Sequence, residues 1–296
     1  MNAPNHALEP MIHTIEHIPT LPVISRQILD IREDDPNSHR KYVNIIEQDQ
    51  ALTLKMLKVA NSAFYGSLSR VGSVDHALVR LGTNEVKSIV LAFSIQTFFS
   101  EAKSDAYDRK RFWKHAIVCS QVAKLLGLYH RIRHDDSLFL AGLIHDMGKV
   151  VLDEYFHEDF LQILDILKDE HTTFSQAEKL VLGTTHYQVG AKLLKQWRFP
   201  RRVITQVLFH HAPWYDKENE NHTILLYLAN VLAKITGYTC HPDEETLDIE
   251  AFAASPEAEY VSKSGFDIDL KALQNLVSRI REHLQEENEN VLTLFD

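Results

Sequence analysis

Apolar residues recur at three- and four-residue steps along most of the chain. The runs are Tyr42 to Ala60, Val74 to Leu81, Val86 to Phe99, Phe112 to Leu128, Ser137 to Val151, Phe160 to Leu167, Gln176 to Leu182, Val189 to Trp197 and Thr223 to Ile235. Such steps gather side chains on one face of a helix, whereas a half-buried strand alternates every second residue. No competing strand pattern is present, so an all-α fold is predicted. Asp35-Pro36, Gly66, Gly72, Gly82 and Phe199-Pro200 punctuate the runs, as expected where short helices are closely joined. In KMLKVANSAFYG, Phe64 and Tyr65 follow a small-residue helix end and read as core aromatics, with Gly66 as terminator.

The runs fall into blocks. Ser100 to Arg111 is polar and charged and separates a leading helical block from a histidine-bearing block that starts at Phe112. After Gly237 an acidic stretch, HPDEETLDIEAFAASPEAE, precedes a last amphipathic helix near Leu270 to Leu284, and EENENVLTLFD reads as a loosely held tail. The expected organisation is an N-terminal helical subdomain over 1–105, a second helical subdomain over 106–240, and a C-terminal acidic stretch and helix over 241–296. Helices of the leading block are apolar on more than one face, so that block is expected to pack against the second.

With 296 residues, 45% hydrophobic and 24% charged, the chain has the composition of a globular protein. Its net charge of -10 argues against broad binding to nucleic acid or anionic membrane, both of which need a basic surface. No clear basic recognition helix is present either. Cys119 and Cys240 stand far apart without CxxC spacing, which suggests neither a disulfide framework nor a cysteine zinc knuckle and fits a reducing cytoplasm. The start lacks a basic segment followed by an apolar one, and no run approaches the ~18 apolar residues of a membrane span.

Histidine changes the picture. There are 17, several in apolar surroundings: His115 in FWKHAIV, His145-Asp146 in FLAGLIHDMGKVVL, His186 in GTTHYQVG and His210-His211 in LFHHAPW. Any one could be a core histidine held by a neighbouring carbonyl or carboxylate. Burying all five separately requires five hydrogen-bond solutions, whereas one metal site satisfies them together. Adjacent helix residues point about 100° apart, so His145 and Asp146, read as neighbours within one core helix, could take different coordination positions. His130, His134, His157 and His222 lie in polar or loop contexts and read as surface residues. Arg109-Lys110-Arg111 and Arg201-Arg202 could draw a phosphorylated ligand, although such clusters are more often solvated helix ends.

WKH, GLIHDMGK, THYQVG and FHHAP, in this order, resemble the HD superfamily of metal-dependent phosphohydrolases. IPTLPVISRQIL, IEQDQALTLKMLKVANSAFYG and VGSVDHALVRLGTNEVKSIVLAF resemble the leading block of the HDOD family, a bacterial branch associated with signalling, and the resemblance runs from about Ile15 to Gly237. It implies a multi-helix HD-like domain whose 106–240 part carries the metal site. Carried over position by position, it assigns His115, His145 and Asp146 to a first metal, with Asp146 bridging, and His186, His210 and His211 to a second. The position of a closing aspartate falls on Asn230, a poorer ligand that leaves a positive charge uncompensated and should weaken the first site. Lys149 matches a position that faces substrate phosphate in active relatives, with a solvated helix-end lysine as the alternative. The Gly-Tyr-Pro pattern of the cyclic-dinucleotide phosphodiesterase branch is absent after His211.

These readings converge on a cytoplasmic bacterial signal-transduction module that binds one or two divalent transition metal ions (iron, manganese, zinc or nickel) and lacks hydrolase activity. The alternative is a metal-dependent phosphohydrolase acting on a phosphoester or nucleotide, with Lys149 as its catalytic phosphate-holding residue. A protein partner in a signalling pathway is expected and a phosphorylated small molecule is a second candidate. Membrane and nucleic acid are not expected partners.

Overall fold

The structure is a computed structural model that describes residues 18, 21–32, 34–62, 65, 70–99, 106–132, 137–168, 172–244 and 246–287. Phe64, Gly66, His134, the first half of the polar seam and the tail from 288 lie outside the described residues. Among the described residues every regular element is helical. In chain order the α-helices are α1 (Val23–Leu29), α2 (Ser38–Ile46), α3 (Gln50–Ala60), α4 (Val74–Leu81), α5 (Thr83–Phe98) and α6 (Arg109–Tyr129). They continue as α7 (Ser137–Ile144), α8 (Met147–Tyr155), α9 (His157–Leu167), α10 (Phe174–Leu182), α11 (His186–Gln196) and α12 (Arg201–Phe209). A short 3-10 turn, Pro213–Tyr215, leads to α13 (Glu220–Ile235), α14 (Ile249–Ala253), α15 (Pro256–Lys263) and α16 (Leu270–Glu287).

Local chemistry sets several starts. The side chains of Asp49, Ser73, Asp108 and Ser255 each accept a backbone N–H of the first helical turn that follows. Thr173 and Gln176 cap α10 reciprocally, and Gly183 in the left-handed region (φ 67°) ends it. Two expectations need correction. The run Tyr42 to Ala60 is two helices, because Asp49 caps a new start. The run Ser137 to Val151 is also two, and His145-Asp146 is the joint between α7 and α8 rather than the middle of a core helix. Asp146 has φ -96° and ψ 4°, outside helical geometry. Apolar periodicity continues across the joint because both short helices are buried, so hydrophobic pattern alone cannot show the bend.

α6 runs through the centre, packed on α7 and α13, while α8 lies against α11 and α11 against α12. Two glycines permit the closest approaches. A Cβ on Gly142 of α7 would stand 2.5 Å from Ser120 Cα of α6, and one on Gly148 of α8 would stand 1.8 Å from the carbonyl oxygen of His186. The leading helices join the same core: α5 packs on α7, Lys124 of α6 bonds Glu85 of α5 at 2.9 Å, and Phe98 meets Trp197 edge-on at 5.6 Å. The N-terminal block is thus packed against the histidine-bearing block.

Candidate metal centre

These contacts bring the ends of several helices to one place. α6 supplies His115, the α7–α8 joint supplies His145 and Asp146, and α11 begins with His186. α12 ends at Phe209, with His210 and His211 following. His115, His145, His186, His210 and Asp146 are all at most 1% exposed, and His211 is partly exposed.

One carboxylate lies at the middle. Oδ2 of Asp146 is 3.7 Å from His115 Nε2 and 3.5 Å from His145 Nε2, while Oδ1 is 3.0 Å from His186 Nε2 and 3.4 Å from His210 Nε2. His211 Nε2 lies 3.2 Å from His186 Nε2. The outer nitrogens fix the rings. Nδ1 of His115 donates to Tyr238 O at 2.8 Å, that of His145 to Gly142 O at 2.9 Å and that of His210 to Val207 O at 2.7 Å. His186 Nδ1 donates to the Glu178 carboxylate at 2.8 Å, and the same carboxylate accepts the His186 backbone N–H.

A carbonyl oxygen can only accept, so Nδ1 carries the proton and Nε2 of each neutral ring keeps a bare lone pair. The lone pairs of His115 and His145 face each other across 3.3 Å. Asp146 Oδ1 and His210 Nε2 make no hydrogen bond of good geometry, although Oδ1 lies 3.0 Å from His186 Nε2 and 3.4 Å from His210 Nε2. Buried polar atoms left in this state are costly. A cation among them resolves the conflict, and imidazole nitrogen with carboxylate oxygen suits a divalent transition metal. The donor set therefore fits such an ion.

Electrostatics agree. Burial, reinforced by the neighbouring His145, pushes His115 down to about 3, and burial pushes His145 to about 3 against the pull of Asp146. Burial lowers His210, and it lowers His211 well below the ordinary histidine value with help from His210 and His186. His186 is raised, because Glu178 and Asp146 outweigh its burial. Burial alone would raise Asp146, but Lys149 and the histidines hold its carboxyl well below the usual range.

Lys149 is not a solvated helix-end lysine. It is 1% exposed, its ammonium donates to Asp146 Oδ2 at 2.7 Å and it lies over the Phe174 ring at 4.4 Å. Glu244 is 3.9 Å from Lys149 and 2.6 Å from Lys234. Asn230 is buried on α13, its Oδ1 without a hydrogen-bond partner. His130, His157 and His222 are partly buried rather than fully at the surface. Arg109 is paired with Asp153, Arg111 bonds Thr239, and Arg201 and Arg202 bond Glu218 and Asn219.

Four further residues at the centre were not read from sequence. Glu178 orients His186, and Glu244 joins the two lysines. Cys119 Sγ is 3.4 Å from His115 Nε2, and Cys240 Sγ donates to Asp146 Oδ2 at 3.0 Å. The wide separation of the cysteines in sequence is therefore no guide to their place in the fold. One signal was available: Cys119 follows His115 by four residues on one helix, a spacing that stacks side chains on one face. Glu178, Cys240 and Glu244 carry no comparable local signal.

A model of the HDOD domain matches residues 18–213. The chain belongs to the HDOD family. Among solved structures, this HDOD protein is similar to an HDOD domain protein of unknown function from Geobacter sulfurreducens, with TM-score 0.78, 22% identity and coverage of 97% of this chain and 99% of that one. A protein from Marinobacter aquaeolei VT8, named provisionally for signal transduction, matches with TM-score 0.76 and 22% identity over 98% of this chain and 65% of its own. One from Shewanella amazonensis SB2B, named provisionally as a phosphohydrolase, matches with TM-score 0.75 and 19% identity over 97% and 98%. At these identities the likeness shows the HDOD fold. A curated relative, an uncharacterised protein of Treponema pallidum (strain Nichols), is 26% identical over 201 residues, which are 67% of this chain but 38% of that protein. No described helix is long and apolar enough to cross a membrane.

Proposed function

We propose that this HDOD protein is a bacterial signal-transduction module that holds a divalent transition metal in a closed centre and does not hydrolyse phosphoesters. His115, His145, Asp146, His186, His210 and His211 are the residues that would hold the metal, with Asn230 as a further candidate at the family's closing position. A bound ion would supply Lewis acidity and would tie α6, the α7–α8 joint, α11 and α12 together.

The observation that carries the reading is closure. Hydrolysis needs a coordination position open to water and substrate, yet the Asp146 carboxylate and four of the five histidines are at most 1% exposed. Lys149, the residue a phosphate-holding role requires, is buried and bound to Asp146. A protein partner is the favoured interactor, in keeping with the name of the Marinobacter relative, and the free thiols of Cys119 and Cys240 favour the cytoplasm. The phosphohydrolase reading is favoured by the retained histidines and Asp146 and by the name of the Shewanella relative. With manganese, iron or magnesium supplied, generic phosphoesters and cyclic dinucleotides should turn over no faster than with Asp146→Ala. Metal-dependent hydrolysis that this substitution abolishes would put the phosphohydrolase first.

A further inference from the structure

Residues 238–244 belong to no helix and close the centre from one side. They touch it through three different groups. The Tyr238 carbonyl accepts from His115 Nδ1 at 2.8 Å, and Cys240 Sγ donates to Asp146 Oδ2 at 3.0 Å. Glu244 Oε1 lies 2.6 Å from the Lys234 ammonium and 3.9 Å from that of Lys149, while its other oxygen accepts the Cys240 backbone N–H at 3.0 Å. Thr239 anchors the strap to α6: its Oγ1 accepts from Arg111 at 2.6 Å and donates to the His241 carbonyl at 2.9 Å. Thr239, Cys240, His241 and Glu244 are buried, whereas Pro242 and Asp243 on the outer side are exposed. Gly237, in the left-handed region (φ 92°), turns the chain out of α13 into the strap.

Lys149 is shared unequally between the centre and the strap. Its ammonium bonds Asp146 Oδ2 at 2.7 Å, but 3.9 Å to Glu244 is too long for a hydrogen bond. Two carboxylates thus compete for one buried cation, and the charge beside Asp146 decides between them. When the centre is filled, added positive charge there repels the ammonium, and Glu244 is the acid it then faces. A histidine whose Nε2 is engaged also donates more strongly from Nδ1, which tightens the bond from His115 to Tyr238. Both changes pull on the same segment. We infer that residues 238–244 are a latch that responds to occupancy of the metal centre: filling it shifts Lys149 from Asp146 to Glu244 and tightens the strap, and emptying it loosens the strap. Such coupling is reciprocal, so a closed strap raises metal affinity by the same factor. The occupancy of a closed centre thereby reaches the surface at Pro242 and Asp243.

This latch rests on the metal-holding reading above, and one experiment keeps the two apart. Amide hydrogen exchange is followed by mass spectrometry in the full chain, first chelated and then loaded with manganese(II), a metal that carboxylate suits and thiolate does not. Metal content is measured on the same samples, and α4, remote from the centre, gauges any change in global stability. On loading, exchange in 238–244 should slow by ~10-fold and by more than in α4. Most of that slowing should be lost in Lys149→Met. Thr239→Val removes two hydrogen bonds and no charge; its strap should exchange faster in the chelated state, and its manganese affinity should fall by a similar factor. Circular dichroism checks both variants, and if they do not fold, the exchange of the unmodified chain decides. Bound manganese with strap exchange unchanged, or slowed no more than α4, would overturn the latch and leave the metal-holding reading standing. Faster strap exchange in Thr239→Val with undiminished affinity would also overturn the latch. No bound manganese would overturn both.

Discussion

Lys149 and Asp146 share an ion pair that water does not reach, both at 1% exposure. Removing one partner of such a pair strands the other charge, at a cost of about 3–5 kcal/mol. Lys149→Met should therefore lower the urea stability of the chelated protein by that order, and loading zinc should recover much of the loss, because a cation again faces the carboxylate. Equal losses with and without zinc would show that Lys149 acts apart from the metal. The histidines predict a pH effect of definite sign. His115 and His145 stay neutral in the fold down to about 3, against an ordinary value of 6.5. Between those values the unfolded chain binds more protons, so their contribution is complete above 6.5 and declines as pH falls, by ~1.4 kcal/mol per pH unit for each ring. His186 is shifted upward, and its contribution is already complete below the unfolded value, so it does not oppose the decline. The depressed carboxyls of Asp146 and Glu244 lose their contribution only as pH falls below the usual carboxylate range. The urea midpoint of chelated protein should drop steeply between pH 6.5 and about 4.5, and less so for His115→Gln; a flat midpoint would contradict the buried neutral rings. Sequence exposed the histidines because imidazole is conspicuous in an apolar run. It hid Cys240 and Glu244, which reach the site only through tertiary folding.

At the scale of elements, the centre depends on helices that approach more closely than most side chains allow. Gly148 touches the chain at His186, and a methyl there would meet a carbonyl oxygen at 1.8 Å. Gly148→Ala should push α8 from α11, destabilise the protein by about 3 kcal/mol or more and lower metal content by parting Asp146 from His186. Denaturation and elemental analysis check both, and full metal loading in this variant would show that the centre tolerates the shift. Most helices were legible: α4, Val74–Leu81, coincides with its apolar run, and α6 and α13 extend theirs by a few residues. α1 and α12 were not read, because α1 buries a single apolar side chain, Ile28, and α12 only Val203 and Val207, against Val74, Ala77 and Leu78 in α4, so a three-to-four repeat hardly shows. The α7–α8 joint was hidden for the opposite reason, since helices buried on every side have no polar face to reveal a change of direction.

Across the whole molecule, the all-α fold was legible because helical repeats recur from end to end, and resemblance sharpened it to a family. How the blocks meet was less so, since contacts such as Glu85 with Lys124 and Phe98 with Trp197 join distant segments. Because those contacts bury the faces of α5, limited proteolysis should release no stable, soluble fragment ending near residue 105; such a fragment would mean that the leading block folds alone. The segment after α13 has a different consequence. Tyr238, Cys240 and Glu244 reach the centre from beyond residue 213, where the family match stops. A graft of residues 18–213 into another chain would carry the whole stretch that the family model matches, yet His115 would lose the carbonyl that sets its tautomer and Lys149 one of its two carboxylates. What descent preserves as a recognisable text is shorter than what physics requires as a working part.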